Sequence, residues 1–155
     1  MAFTDSDITR LAAQLKKSEG CRLSAYRCTA GALTVGYGHN CDASPVKGVS
    51  EPGDRIGQAE ADRLLESDLS SAVWAVRRRF PWVTDIVPAR QAVLYDMAFN
   101  MGVAGLSTFV NTLRLVREGG YANAARNMLL SKWARQVGGR AVRLARQMST
   151  GEWQS

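Results

Sequence analysis

Glu19 is a carboxylate in an unusual place. It falls four residues after Leu15 and continues the apolar stripe of Ile8, Leu11, Ala12 and Leu15. A carboxyl group on such a face loses water, and desolvation raises its pKa. A raised pKa suits a general acid, which must hold its proton near neutral pH until the proton is needed. On position alone the plainer reading is the stronger one: a Glu at a helix end turns to solvent or pairs with an arginine. Thr34, taken alone, is a good strand former and reads as scaffold. His39 is the only histidine. Asp68 sits on an inward helical face, four residues after Leu64 and three after Leu65. A buried Asp needs a partner, and His39 is the natural candidate, so the two are expected to form a structural pair rather than a catalytic one.

Three cysteines, Cys21, Cys28 and Cys41, complete the reactive inventory. An odd count argues against a disulfide framework. No CxxC occurs and there is one histidine, so no zinc or other metal site is expected. Cys21 and Cys41 read as small core residues.

These residues must be held by elements, and the sequence suggests which. Apolar spacing predicts a helix over about 5–19, with Thr4, Asp5 and Ser6 as candidate caps. Residues 21–41 alternate, carry aromatic and β-branched side chains, and turn at Thr29-Ala30-Gly31, which predicts a β-hairpin. Gly36 and Gly38 flank Tyr37 and let the backbone pass close to a neighbour. Residues 42–57 are rich in Pro, Gly, Ser and Asp and read as loop with at most a short strand.

A long helix is expected over about 58–80, with Ala61, Leu64, Leu65, Leu69, Ala72, Val73, Val76 and Phe80 on one face and Pro81 ending it. Pro88 suits the first turn of the next helix. Ala92 to Met101 is apolar on nearly every side, as in a helix buried within a bundle, with Asp96 and Asn100 its polar members. Shorter helices are expected near 106–117, 121–130, 132–137 and 139–149.

The chain is one domain long at 155 residues, with a net charge of +6. Two lobes are expected within it: about 15–60 with the hairpin, and about 80–155 joined by helix 5–14, with the helix over about 58–80 linking them. No acidic residue lies between Gly119 and Gly151, a stretch holding Arg126, Lys132, Arg135, Arg140, Arg143 and Arg146. A cationic face favours an anionic partner: nucleic acid, lipid or cell wall. No nucleic-acid-binding signature is present, so no nucleic-acid partner is expected. No apolar run approaches the roughly 20 residues needed to span a bilayer, so stable membrane insertion is not expected. The first residues carry no secretory pattern, and the cytosol is the expected site of residence.

The segment from Glu19 to His39 resembles the active-site segment of the phage-type lysozymes, the T4-like endolysin family. Its members carry a Glu, eight residues, Asp or Cys, five residues, then Thr; here that reads Glu19, Cys28 and Thr34. Glu19-Gly20, Arg22-Leu23, Tyr26 and Thr34-Val35-Gly36-Tyr37-Gly38-His39 also fit, as do Ala98 to Gly102, Phe109 to Leu113, Ser131-Lys132-Trp133, Arg140 and Thr150 to Trp153. Between 42 and 57 the sequence departs from the family.

The resemblance implies an α+β lysozyme-like fold: a small N-terminal lobe with a β-hairpin, joined by a long helix to a helical C-terminal lobe. It implies an N-acetylmuramidase that hydrolyses the β-1,4 bond between N-acetylmuramic acid and N-acetylglucosamine of peptidoglycan, inverting the anomeric centre. Glu19 would protonate the leaving oxygen, and Thr34 would hold the attacking water. Cys28 stands where many members have Asp, as base, nucleophile or water-orienting thiol. An unperturbed thiol is mostly neutral at pH 7, and Arg22 or Arg27 is the expected source of charge to lower its pKa. Phe99, Asn100, Asn127 and Arg140 would bind substrate, Arg140 from across the cleft. His39 and Asp68 match a structural ion pair of the family. No cofactor is implied, a monomer is expected, and release from a host cytoplasm would need a membrane pore. Two other readings stay open. One is a lytic transglycosylase, which needs one acid and leaves an anhydro end. The other is a catalytically silent cationic protein that binds walls or disturbs membranes.

Overall fold

The computed structural model describes all of residues 1–155. It is α+β, mostly helical, with one small antiparallel sheet near the N-terminus. The chain divides into two compact units. One, the hairpin unit, is Ala12–Ser71; the other, the helical unit, is Met1–Leu11 with Ala72–Ser155.

The first helix, α1 (Asp5–Glu19), begins on a reciprocal cap. The Asp7 backbone N–H donates to Thr4 Oγ1 at 3.2 Å, and the Thr4 N–H donates to Asp7 Oδ2 at 2.8 Å. This is a capping box with Asp in the third position. Leu11 and Leu15 are fully buried, each contributing roughly 1.5–3 kcal/mol by leaving water. Ile8, expected on the same stripe, is exposed. The helix stops at Glu19 because Gly20 takes φ +68°, the left-handed region that ends helices cheaply only for glycine; its N–H reaches back to Lys16 O at 3.1 Å.

In the hairpin unit, β1 (Arg22–Arg27), β2 (Leu33–Gly36) and β3 (His39–Asn40) lie in that order and are antiparallel throughout. Tyr26 faces Thr34 and Arg27 faces Leu33, and the register shifts between Tyr26 and Arg22. The expected turn forms: the Cys28 N–H donates to Ala32 O and the Gly31 N–H to Cys28 O. Residues 53–56 cover the free edge of β1, with the Ala25 N–H on Asp54 O and the Ile56 N–H on Leu23 O. The stretch read as loop thus pairs with the sheet without becoming a regular strand. Ala25, Leu33, Val35, Cys41, Val46, Val49 and Leu64 form the core, with Ile56 against it. Cys21, expected in a core, is exposed instead, with its sulfur 3.9 Å from Gln58 Oε1.

The long helix α2 (Gln58–Arg79) contributes residues to both units. All members of its expected apolar face from Ala61 to Val76 are buried. A 3-10 turn (Pro81–Asp85) follows, and α3 (Pro88–Ser107) starts with proline in its first turn. In α3 every residue from Gln91 to Ala98 is buried. Gly102, at φ 78° and ψ 159°, breaks this helix, and α4 (Val110–Arg117) is separate, so the single helix expected near 106–117 is split at Thr108-Phe109. Three helices complete the unit: α5 (Tyr121–Leu129), α6 (Lys132–Val137) and α7 (Gly139–Thr150). No single helix is long and apolar enough to cross a membrane.

Candidate active site

Glu19 ends α1 half-buried in the hairpin unit. Gly38, in the turn between β2 and β3, lies against its carboxylate. An atom placed at the Cβ position of Gly38 would stand 2.8 Å from Glu19 Oε2, and apart from its own chain neighbours nothing outside Glu19 is within 4 Å of it. The backbone of the Gly36-Tyr37-Gly38 run therefore passes close to the acid because position 38 has no side chain.

Cys28 and Thr34 meet at the mouth of the hairpin. Strand alternation turns Leu33 and Val35 into the core, so Thr34 between them points to the other face. Its hydroxyl lies 2.9 Å from the Ala32 carbonyl. The turn folds back over the Cys28 sulfur, and the Ala32 N–H, the Ala30 N–H and the Thr34 hydroxyl hold the thiol below its ordinary range. These hydrogen bonds favour the thiolate. The expected source was a neighbouring arginine, but Arg22 stacks on Tyr26 with 3.7 Å from its guanidinium carbon to the ring centroid. Arg27 donates to Gly31 O at 3.0 Å. Thr34 has one proton, which serves the Ala32 carbonyl or the Cys28 sulfur and leaves its lone pairs to accept from a third group.

His39 and Asp68 are in contact. His39 Nδ1 is 2.8 Å from Asp68 Oδ2, and Nε2 is 2.8 Å from the Ser44 carbonyl. Both ring nitrogens face acceptors, so only the imidazolium satisfies both. The Asp68 hydrogen bond is the main cause that raises the His39 pKa, against desolvation that lowers it. The ring is buried and points into this bridge between the loop and α2.

The helical unit holds the remaining candidates. Arg140 on α7 is not a solvated cation of a basic face: its side chain is 8% exposed, and Nε and Nη2 lie 3.0 and 2.9 Å from Asp96 Oδ1. Arg143 Nη2 is 3.7 Å from Asp96 Oδ2. Burial raises the Asp96 pKa, and the two guanidiniums oppose it. Asn100 is exposed and accepts from Trp133 Nε1 at 2.8 Å; Phe99 beside it is half-buried. Asn127 Oδ1 accepts from Thr112 Oγ1 at 2.8 Å. Asn127 and Trp133 both line a cavity of about 640 Å³ with Met101, Phe109 and Leu130. No group of three or more His, Cys, Asp or Glu gathers where it could hold a metal ion.

The structure thus brings Cys28 to Thr34, His39 to Asp68, and Asn127 to a cavity that also includes the Trp133 partner of Asn100. Sequence reasoning missed the Asp96 cluster, although its signal was present: an acid in an all-apolar helix needs partners, and Arg140 and Arg143 are spaced for one helical face. The close backbone approach expected at Gly36 and Gly38 is present, but that the neighbour of Gly38 is Glu19 is given by no spacing rule.

The sequence pattern of the family described as phage lysozyme matches residues 16–148. The chain is 30% identical to the probable T4-type lysozyme 1 of Dictyostelium discoideum, over 88% of this chain and 92% of that protein. It is 27% identical to the endolysin of Acyrthosiphon pisum secondary endosymbiont phage 1, over 78% of this chain and 75% of that one. It is 29% identical to the pre-baseplate central spike protein Gp5 of Enterobacteria phage T4; there 97% of this chain is covered but only 29% of the spike protein.

Proposed function

The chain belongs to the phage lysozyme family and is a lysozyme-type cell-wall hydrolase, and from that premise we propose that it hydrolyses the β-1,4 bond between N-acetylmuramic acid and N-acetylglucosamine in peptidoglycan, with inversion. Glu19 gives its proton to the leaving glycosidic oxygen. Thr34 accepts a hydrogen bond from the attacking water on the opposite face of the sugar ring. Water attack on that face yields the inverted anomer. Cys28, a thiol held toward its anion by three donors, takes the second proton of the water or steadies positive charge on the ring.

The observation that carries this reading is the meeting of the Thr34 hydroxyl and the Cys28 sulfur at the hairpin mouth, in the one segment where spacing and flanking residues match the family motif. Phe99, Asn100, Asn127 and Arg140 contribute to substrate binding from the helical unit. The cavity that Asn127 lines supports that role for Asn127; Arg140 is held by Asp96 at 2.9 Å. His39 and Asp68 brace the hairpin unit and take no part in the chemistry. Host-cell lysis, with release to the wall through a membrane pore, is the setting proposed for a relative of an endolysin.

Digestion of purified peptidoglycan tests the reaction. NMR of fresh product should show a reducing end of inverted configuration, and mass should show the gain of one water per cleavage. A retained anomer would make Cys28 a nucleophile. An anhydro end, one water lighter than the hydrolysis product, would make the enzyme a transglycosylase.

A further inference from the structure

Gly38 is exposed, and its φ is +78°. A Cβ there would meet Glu19 Oε2 at 2.8 Å and Glu19 Cδ at 3.9 Å, and no other atom within 4 Å apart from its own chain neighbours. A carbon and a carboxylate oxygen do not sit that close, so one must move. The oxygen is the far end of a flexible side chain, whereas the Gly38 backbone is fixed by the β2–β3 turn, where Val35 pairs with His39. The carboxylate would be the group that yields.

From this we propose that Gly38 is a positioning residue: its bare backbone sets where the Glu19 carboxylate rests, and any L side chain at position 38 pushes the acid out of place while leaving the fold in place. The proposal rests on the reading of Glu19 as the general acid. A carboxyl group delivers its proton only from hydrogen-bond reach of the leaving oxygen, and a shift of about 1 Å costs on the order of a hundredfold in rate. Substrate contacts made elsewhere are untouched, so the loss falls on turnover and not on binding.

Two costs of Gly38→Ala must be separated: strain from a positive φ, and the collision with the acid. Gly48 supplies the control. It has φ +84° and nothing within 4 Å of its Cβ position, so Gly48→Ala carries the strain without the collision. Gly38→Asn is the second variant, because Asn tolerates the left-handed region better than Ala while still placing a Cβ against Glu19.

The experiment compares the native chain with Gly38→Ala, Gly38→Asn, Gly48→Ala and Glu19→Gln. Each is assayed on soluble peptidoglycan glycan fragments, well below its own melting temperature. Both Gly38 variants should lose at least about tenfold in kcat with KM within about twofold, equivalent to about 1.4 kcal/mol or more of barrier. Gly48→Ala should keep the native kcat and KM. If folded Gly38 variants match Gly48→Ala while Glu19→Gln is inactive, the positioning role is wrong and the acid assignment stands. If Glu19→Gln remains active, the acid assignment fails first.

Discussion

At Cys28 the backbone supplies what the side chain lacks. A thiol is a poor substitute for a carboxylate near a developing positive charge, because it is mostly neutral at pH 7. Two turn N–H groups and the Thr34 hydroxyl hold it toward the anion, and the same three donors would receive a carboxylate equally well. Cys28→Asp should therefore keep or raise lytic activity, and Cys28→Ala should cost about 10- to 1,000-fold, toward the lower end of what a positioned acid–base group contributes. Turbidity clearing of purified wall measures both; an Ala variant at native rate would leave Cys28 no part in the reaction. Alkylation adds an independent reading. At neutral pH iodoacetamide should modify Cys28 ahead of Cys41, whose thiol is buried and pushed upward. Peptide mass mapping against time would show the order. The sequence made Cys28 visible through motif spacing, but not the cause of its shift. Arg22 and Arg27 are near in sequence, yet Tyr26 and the Gly31 carbonyl hold them.

Helix ends and strand alternation carry the site at the scale of elements, and these were the most legible features. The apolar periods gave α1 and α2, and Pro81 and Pro88 marked where helices end and begin. The buried helix was expected to end at Met101, beside the Gly102 break, whereas the split at Thr108-Phe109 was missed although Ser107-Thr108 interrupts the apolar run there. Two element-to-element ties lead to expected outcomes. His39 joins the loop after β3 to α2, and its pKa is raised in the folded chain. A raised histidine pKa means that the folded state binds the proton more tightly. The stabilisation is fully present below about pH 6.5, the unfolded value, and is lost as pH rises through the folded value. His39→Asn should lower the melting temperature more than it lowers activity measured well below that temperature, and the gap from the native chain should narrow as pH rises. A gap that widened with pH would contradict the assigned pair. Asp96 joins α3 to α7 and is fully buried. Asp96→Ala leaves two mostly buried guanidiniums without their acid and should destabilise by about 3–5 kcal/mol, read by denaturant titration.

For the molecule as a whole, the charge is unevenly divided. The helical unit carries 13 Lys and Arg against 6 Asp and Glu, while Ala12–Ser71 carries 7 against 8. The basic C-terminal stretch was legible in sequence, but its division between wet and buried cations was not: Arg140 and Arg143 are bound to Asp96, whereas Arg126, Arg135 and Arg146 are exposed. If the exposed set draws the enzyme to anionic wall, binding should weaken with salt, since screening acts over about 8 Å at physiological ionic strength. Replacing Arg126, Arg135 and Arg146 by Gln should flatten that dependence in a wall-sedimentation assay; an unchanged salt profile would leave these charges a solubilising role only. All of this serves one reaction. The most direct test of it is the muropeptide yield from purified peptidoglycan with Glu19→Gln beside the native chain, at matched folded concentration. The Gln variant should release almost nothing while melting as the native chain does. A variant that works at more than about a tenth of the native rate, a barrier change under about 1.4 kcal/mol, would contradict the general-acid role of Glu19.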